Sequence, residues 1–186
     1  MTSTAPIHPF DAALQLQPAG PDRYNGHTSA AYWNMVGPFG GTTAALALRA
    51  VLNHPDLLGE PLSLTVNYAG ALTSGACAVG ARAVRTNRST QHWTVELLQN
   101  DADGQPVVTT TATVVTAARR ETWSANDTPM PAVPAPDSGP ALPQVPGVEW
   151  VRRYEMRPIE GSIPSQWDGS GDSSRIRIAA IRVFSP

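Results

Sequence analysis

The chain has 186 residues, with 13 Lys and Arg against 15 Asp and Glu and a formal net charge of −2. That length gives one domain of ~150 residues with room for part of another. A charge so near neutral leaves no basic surplus for phosphate binding, which excludes nucleic acid as a default partner. Charged residues reach only 15%, below the usual ~25%. Gly and Pro together make about 18%, above the ordinary ~12% but short of the ~25–30% of a disordered chain. The single cysteine, Cys77, permits no intrachain disulfide and fits a reducing cytoplasm. The opening MTSTAPIHPFDAA has neither a basic nor an apolar segment of the kind a secretion signal needs. The longest apolar run, Ala44–Leu52, contains Arg49 and is far shorter than the ~20 residues of a membrane span, so no span is expected.

Taken in chain order, residues 1–22 are Pro-rich with an apolar patch at Phe10–Leu16, which reads as a short strand or helix. Arg23–Ala31 alternates like a short strand. The aromatic segment Tyr32–Val36 then meets Gly37-Pro38-Phe39-Gly40-Gly41, a strong break. The spacing predicts a helix over Thr42–Asn53, built from the best helix formers, with Thr42 as N-cap and Pro55 beyond its end. Apolar residues circle it on most sides, so it should be buried nearly all round.

Four strands are predicted next: Leu62–Ala69, Ala76–Arg85, Thr90–Gln99 and Pro106–Ala117. They should run as consecutive antiparallel neighbours, with a turn at Thr86–Ser89 and a hairpin at Asp101–Gly104. One buried helix followed by an antiparallel sheet is an α+β arrangement. From Arg119 the pattern collapses into a Pro-rich stretch that reads as an extended linker. Trp150–Ile159 looks like another strand, Gly161–Ser174 like turns, and Arg175–Ile178 like a strand with nothing after it to pair with. Too few residues remain there for an independent core. The expectation is a truncated chain, or one whose reading frame has altered near Ser174; the alternative is a tail that adds edge strands to the first domain or to a second copy of it.

The order of elements resembles a hotdog fold, an antiparallel sheet wrapped around a central helix. Gly37-Pro38-Phe39-Gly40-Gly41 running into Ala44–Ala50, Ser63–Tyr68, and Arg85-Thr86-Asn87-Arg88-Ser89 together resemble the acyl-CoA thioesterase II-like family over about residues 10–120. The resemblance implies a complete hotdog repeat at 1–120, a linker at 121–148, and the fragment of a second repeat at 149–186, opening with Trp150–Glu155. In thioesterase II the residues assigned to catalysis lie in the second repeat, and none of them can be carried over to this chain. The implied reaction is hydrolysis of an acyl-CoA to a free acid and coenzyme A. The coenzyme is part of the substrate and no separate cofactor is implied. A homodimer joined through the hotdog sheets is expected, because the internal partner is incomplete.

Such a reaction needs oxyanion donors, an oriented water and an apolar channel. The amides of Gly41, Thr42 and Thr43 at the positive helix end are candidate donors; equally, Gly40 and Gly41 could serve only to pack the helix on the sheet. No carboxylate lies near this segment, so water would be oriented by Asn34, or by Asn67 and Thr65 on the polar face of their strand. Arg85, Asn87, Arg88 and Ser89 could hold the nucleotide end of coenzyme A, or simply solubilise a turn. Strand His92 reads as structural, and Cys77 as packing rather than nucleophile. No metal-ligand spacing or dinucleotide fingerprint is present. Two rival readings stand beside hydrolysis: a non-catalytic acyl-CoA-binding module, and an inactive truncated fragment. A hotdog dehydratase would need an acid–His pair, which the helix start lacks.

Overall fold

The computed structural model describes residues 7–130, 132–135, 138–159 and 169, and the backbone of 178–183. The chain divides into two compact units after Thr122. The first opens with helix α1 (Pro9–Ala13), the two-residue strand β1 (Gln17–Pro18), strand β2 (Arg23–His27) and a 3-10 turn at Ala30–Tyr32. Helix α2 (Gly40–Leu52) follows, then β3 (Glu60–Tyr68), β4 (Ala76–Thr86), β5 (Thr90–Asn100) and β6 (Pro106–Ala117).

These strands form one antiparallel six-stranded sheet in the order β1-β2-β4-β5-β6-β3. The expected run of consecutive neighbours therefore holds only for β4, β5 and β6. After β3 the chain crosses to pair β4 with β2, which leaves β3 at the far edge against β6. The other edge is blunted by the brevity of β1 and by Pro18.

Alternation sorts the side chains. Val79, Ala81, Trp93, Val95, Leu97, Ala112 and Val114 face the helix and are buried. From the helix, Thr42, Thr43, Leu46, Ala47, Ala50 and Val51 meet them. Their spacing of i, i+1, i+4, i+5, i+8 and i+9 makes a single stripe. Fully burying Leu46 and Val51 stabilises the unit by about 1.5–3 kcal/mol each, while Ala47 and Ala50, with no exposure at all, let the backbones approach. The expectation of a helix engulfed on nearly every side is corrected here. Gly41, Arg49 and Leu52 are exposed and Ala44, Ala45 and Leu48 half-buried, because a single sheet covers only one side of a helix.

Buried amides fasten the loops. Gln91 accepts from the Leu58 N–H at 2.8 Å and donates to Asp56 O and Thr86 Oγ1. Gln99 similarly ties Thr73 and Ala76. At the C-terminal end of the helix, His54 Nδ1 accepts from the Asp56 N–H, so Nε2 donates to Asp22 Oδ1 at 2.8 Å. Both imidazole nitrogens are thus occupied, and the ring stands edge-on to Trp93 at 4.8 Å. Each buried polar atom used this way escapes a desolvation cost of about 1–3 kcal/mol.

In the second unit a 3-10 helix at Glu149–Arg153 leads into β7 (Tyr154–Pro158), which pairs antiparallel with β8 (Ile178–Val183). The strand expected over Trp150–Ile159 is thus half 3-10 turn. The terminal strand begins at Ile178 and has β7 as its partner. Of the turn expected at Gly161–Ser174, all but Gly169 lies outside the described residues, as does Arg175–Arg177. Among the described residues no helix is long and apolar enough to cross a membrane.

Candidate active site at the start of the central helix

Helix α2 starts two residues before the expected Thr42. Phe39, in extended backbone (φ −57°, ψ 128°), is the N-cap, and its carbonyl accepts from the N–H of Thr42 at 3.0 Å and of Thr43 at 3.2 Å. Thr42 is therefore not the cap, and its amide donor is already engaged. Of the amides in this first turn, those of Gly40 and Gly41 have no hydrogen-bond partner among the described residues. Glycine at position 41 leaves room for the Phe39 ring, which a Cβ there would meet at 2.4 Å.

The preceding loop is closed by a bridge between Trp33 and Pro38, by Asn34 N–H donating to Gly37 O at 2.7 Å, and by Phe39 N–H donating to Tyr32 O at 2.8 Å. It holds Asn34 beside a cavity of about 220 Å³. Gly40, Thr43, Tyr68, Leu72 and Thr110 also line that cavity. Tyr68 Oη donates to Gly40 O at 2.7 Å, and a Cβ added at Gly40 would lie 3.1 Å from the phenol, so the ring sits directly against the helix start. Partial burial raises the Tyr68 pKa above its ordinary value, which keeps it a neutral donor near pH 7.

A bulge explains why two successive threonines turn inward. In the pairing of β5 with β6, Leu97 faces Thr110 and Leu98 faces Val108, so Thr109 is the extra residue. Thr109 is held by Leu97 O and accepts at its own carbonyl from the N–H groups of Ala69 and Gly70. Thr110 is 1% exposed, and its hydroxyl has no hydrogen-bond partner among the described residues. Among the described residues no carboxylate, imidazole or amine lines the cavity. The geometry offers hydrogen-bond donors and a neutral amide in a partly apolar recess, and no strong base.

Of the residues expected in the site, Asn34 lines the cavity and Gly41 lies one position inside the helix from Gly40. Asn67 does not join them. It pairs with Thr111 and sits on the opposite sheet face from Tyr68 and Val66, exposed, as does Thr65. Arg85, Asn87, Arg88 and Ser89 are also elsewhere. Their turn adjoins Gln91, which donates to Thr86 Oγ1 and to Asp56 O in the loop beyond the helix C-terminus. That is about 18 Å along the axis from Gly40 at 1.5 Å per residue. Arg85 Nε donates to Asn87 Oδ1 at 3.0 Å in this exposed turn. His92 is exposed on the outer sheet face.

Cys77 is 5% exposed, and burial pushes its thiol from an ordinary 9.0 up to about 11. At pH 8 the thiolate population should be about 100-fold lower than in the unfolded chain. Iodoacetamide labelling of native protein should slow at least in that proportion and recover in denaturant. Because the folded pKa is the higher one, the associated stability is complete below about pH 9. It falls as pH rises toward 11, by about 3 kcal/mol in total.

An antiparallel sheet with one long helix packed on its buried face defines a hotdog fold. Residues 29–116 match the acyl-CoA thioesterase N-terminal domain family, and the chain belongs to the thioesterase-like hotdog superfamily. A hotdog protein of unknown function from Alicyclobacillus acidocaldarius is 45% identical, with a TM-score of 0.76 over 84% of this chain and 57% of its own. The acyl-CoA thioesterase II TesB2 of Mycobacterium marinum is 18% identical, with a TM-score of 0.63 over 85% of this chain and 56% of its own. The tesB protein of Mycobacterium avium subsp. paratuberculosis is 20% identical, with a TM-score of 0.64 over 82% and 54%. The chain thus spans a little over half the length of these structures. No curated protein matches it.

Proposed function

We propose that this protein hydrolyses acyl-CoA thioesters, with the acyl carbonyl at the start of α2. The observation that carries this reading is the coincidence of unengaged Gly40 and Gly41 amides with a recess holding Asn34. Those amides, at the positive end of the helix, suit the developing oxyanion, and the Asn34 amide orients the attacking water. Water adds to the thioester carbonyl; the tetrahedral oxyanion then collapses, the C–S bond breaks, and the coenzyme A thiol takes a proton. Arg85, Asn87, Arg88 and Ser89 take no part in this reading.

The reading includes a second hotdog unit, supplied by another copy of the chain in the cytoplasm. Edge strand β3 exposes Leu62, Leu64 and Tyr68, and α2 leaves Ala44, Ala45 and Leu48 half-covered. An unpaired edge beside uncovered apolar side chains favours sheet extension by a partner. A base absent from this cavity would then come from that partner.

One observation favours a second reading. With no carboxylate or imidazole among the described residues that line the cavity, the unit could hold an acyl group without turnover. Purified protein incubated with a range of acyl-CoAs and a thiol reagent separates the two. Release of coenzyme A in proportion to protein supports hydrolysis; saturable binding without release favours the module.

A further inference from the structure

We propose that Tyr68 is a positioning residue for the hydrolysis: its phenol, bonded to the Gly40 carbonyl, strengthens and aims the Gly41 N–H as a donor to the oxyanion. The inference rests on the hydrolytic reading above and adds to it a side chain that acts through the backbone.

Gly40 O and the Gly41 N–H belong to one peptide unit. That unit is planar and trans, so its carbonyl and its N–H point in opposite directions. Tyr68 Oη donates to Gly40 O at 2.7 Å, while the Gly41 N–H has no hydrogen-bond partner among the described residues. The phenol therefore holds one end of the unit, and the other end is directed out of the helix start. A hydrogen bond accepted by the carbonyl draws electron density from the amide nitrogen. Such coupling strengthens the next bond in a chain by about 10–30%. The same bond restrains the tilt of a unit that joins two glycines, the residue with the loosest backbone.

The sheet puts Tyr68 in this place. It is the last residue of β3 and pairs with Thr110, which on its other side pairs with buried Leu97. Cross-strand partners share a face, so Tyr68 and Thr110 both lie on the face that carries the helix. A Cβ at Gly40 would meet the phenol at 3.1 Å, and the N-cap residue Phe39 makes no side-chain bond to the first turn. Thr110 is an independent sign that the recess takes a polar ligand. It lines the recess at 1% exposure, and its hydroxyl has no hydrogen-bond partner among the described residues, whereas most buried hydroxyls are paired.

Rates of coenzyme A release by the full chain, resolved into kcat and KM for one acyl-CoA, test the proposal with two variants. Tyr68→Phe keeps the ring and removes the donor. Losing a whole oxyanion donor costs about 10²–10³-fold, so weakening one by 10–30% should lower kcat about two- to sevenfold. KM should stay within about twofold, because the affected bond tightens only as charge develops on the oxygen. Tyr68→3-fluorotyrosine supplies a more acidic phenol of nearly the same shape. At a pH where both phenols are neutral, its stronger bond to Gly40 O should raise kcat above wild type. A phenol that only pinned the helix would not couple its acidity to the rate. Unchanged kcat in Tyr68→Phe, or a 3-fluorotyrosine protein no faster than wild type, would overturn the proposal and leave hydrolysis at this site standing. A wild-type protein that releases no coenzyme A overturns both.

Discussion

Asn34→Ala should lower kcat for acyl-CoA hydrolysis by about 10²–10³-fold, the effect of removing one well-placed donor from an oxyanion or water site. Its stability should hardly change. Asn34 is half-buried, and its only hydrogen bond among the described residues is made by its backbone N–H to Gly37 O. That bond survives truncation of the side chain, so unfolding should shift by no more than about 0.5 kcal/mol. Asn67→Ala supplies the comparison. It also removes an amide from this unit, but from the opposite, solvent-facing side of the sheet, and its activity should stay within about twofold of wild type. The pair thus separates a chemical role from a general effect of losing asparagine. Equal activities in the two variants would mean that the recess beside α2 is not where the thioester reacts.

The two asparagines also show what was legible in the amino-acid sequence. The alternation of Leu64, Val66 and Tyr68 against Ser63, Thr65 and Asn67 is plain in the chain, and the structure keeps it. What alternation does not reveal is which face meets the site. The polar face invites a catalytic reading, yet the helix lies on the apolar face and brings Tyr68 to Gly40. Strands β4, β5 and β6 match their expected spans to within a residue, because β-branched residues and turns mark both ends. The position of β3 was hidden: pairing across a crossover depends on contacts distant in sequence, and local pattern carries no trace of them. Thr110 was hidden for another reason. In Thr109-Thr110-Thr111 every position looks alike, and only a bulge decides that Thr109 and Thr110 both turn inward. The helix starts earlier than its pattern suggests because Gly40 and Gly41 read as breakers, whereas here they make room for the Tyr68 and Phe39 rings against the first turn.

Gly59→Ala should destabilise the first unit by about 3–5 kcal/mol, a large share of the ~5–15 kcal/mol that holds a typical domain. Gly59 joins the loop after α2 to β3 with φ +76°, a conformation that costs an L-residue about 1–2 kcal/mol. A Cβ there would also sit 2.0 Å from Ala117 O, 2.2 Å from Ala117 C and 2.5 Å from Ala118 N. All three are backbone atoms, so no rotamer change relieves the contact. Ala117 pairs with Glu60 on one side and Thr90 on the other, and moving it means shifting the end of β6 between two strands. Gly104→Ala separates the two contributions. Its φ is +77°, nearly the same, but nothing lies within 4 Å of its added Cβ, so it should cost only the backbone part. Urea unfolding should show a large fall in midpoint for Gly59→Ala and a small one for Gly104→Ala, with similar slopes. The difference measures how firmly β6 is fixed against the connection leaving the helix. If the two variants fall equally, β6 yields at its end, and the sheet holds the C-terminal end of α2 less rigidly than these contacts require.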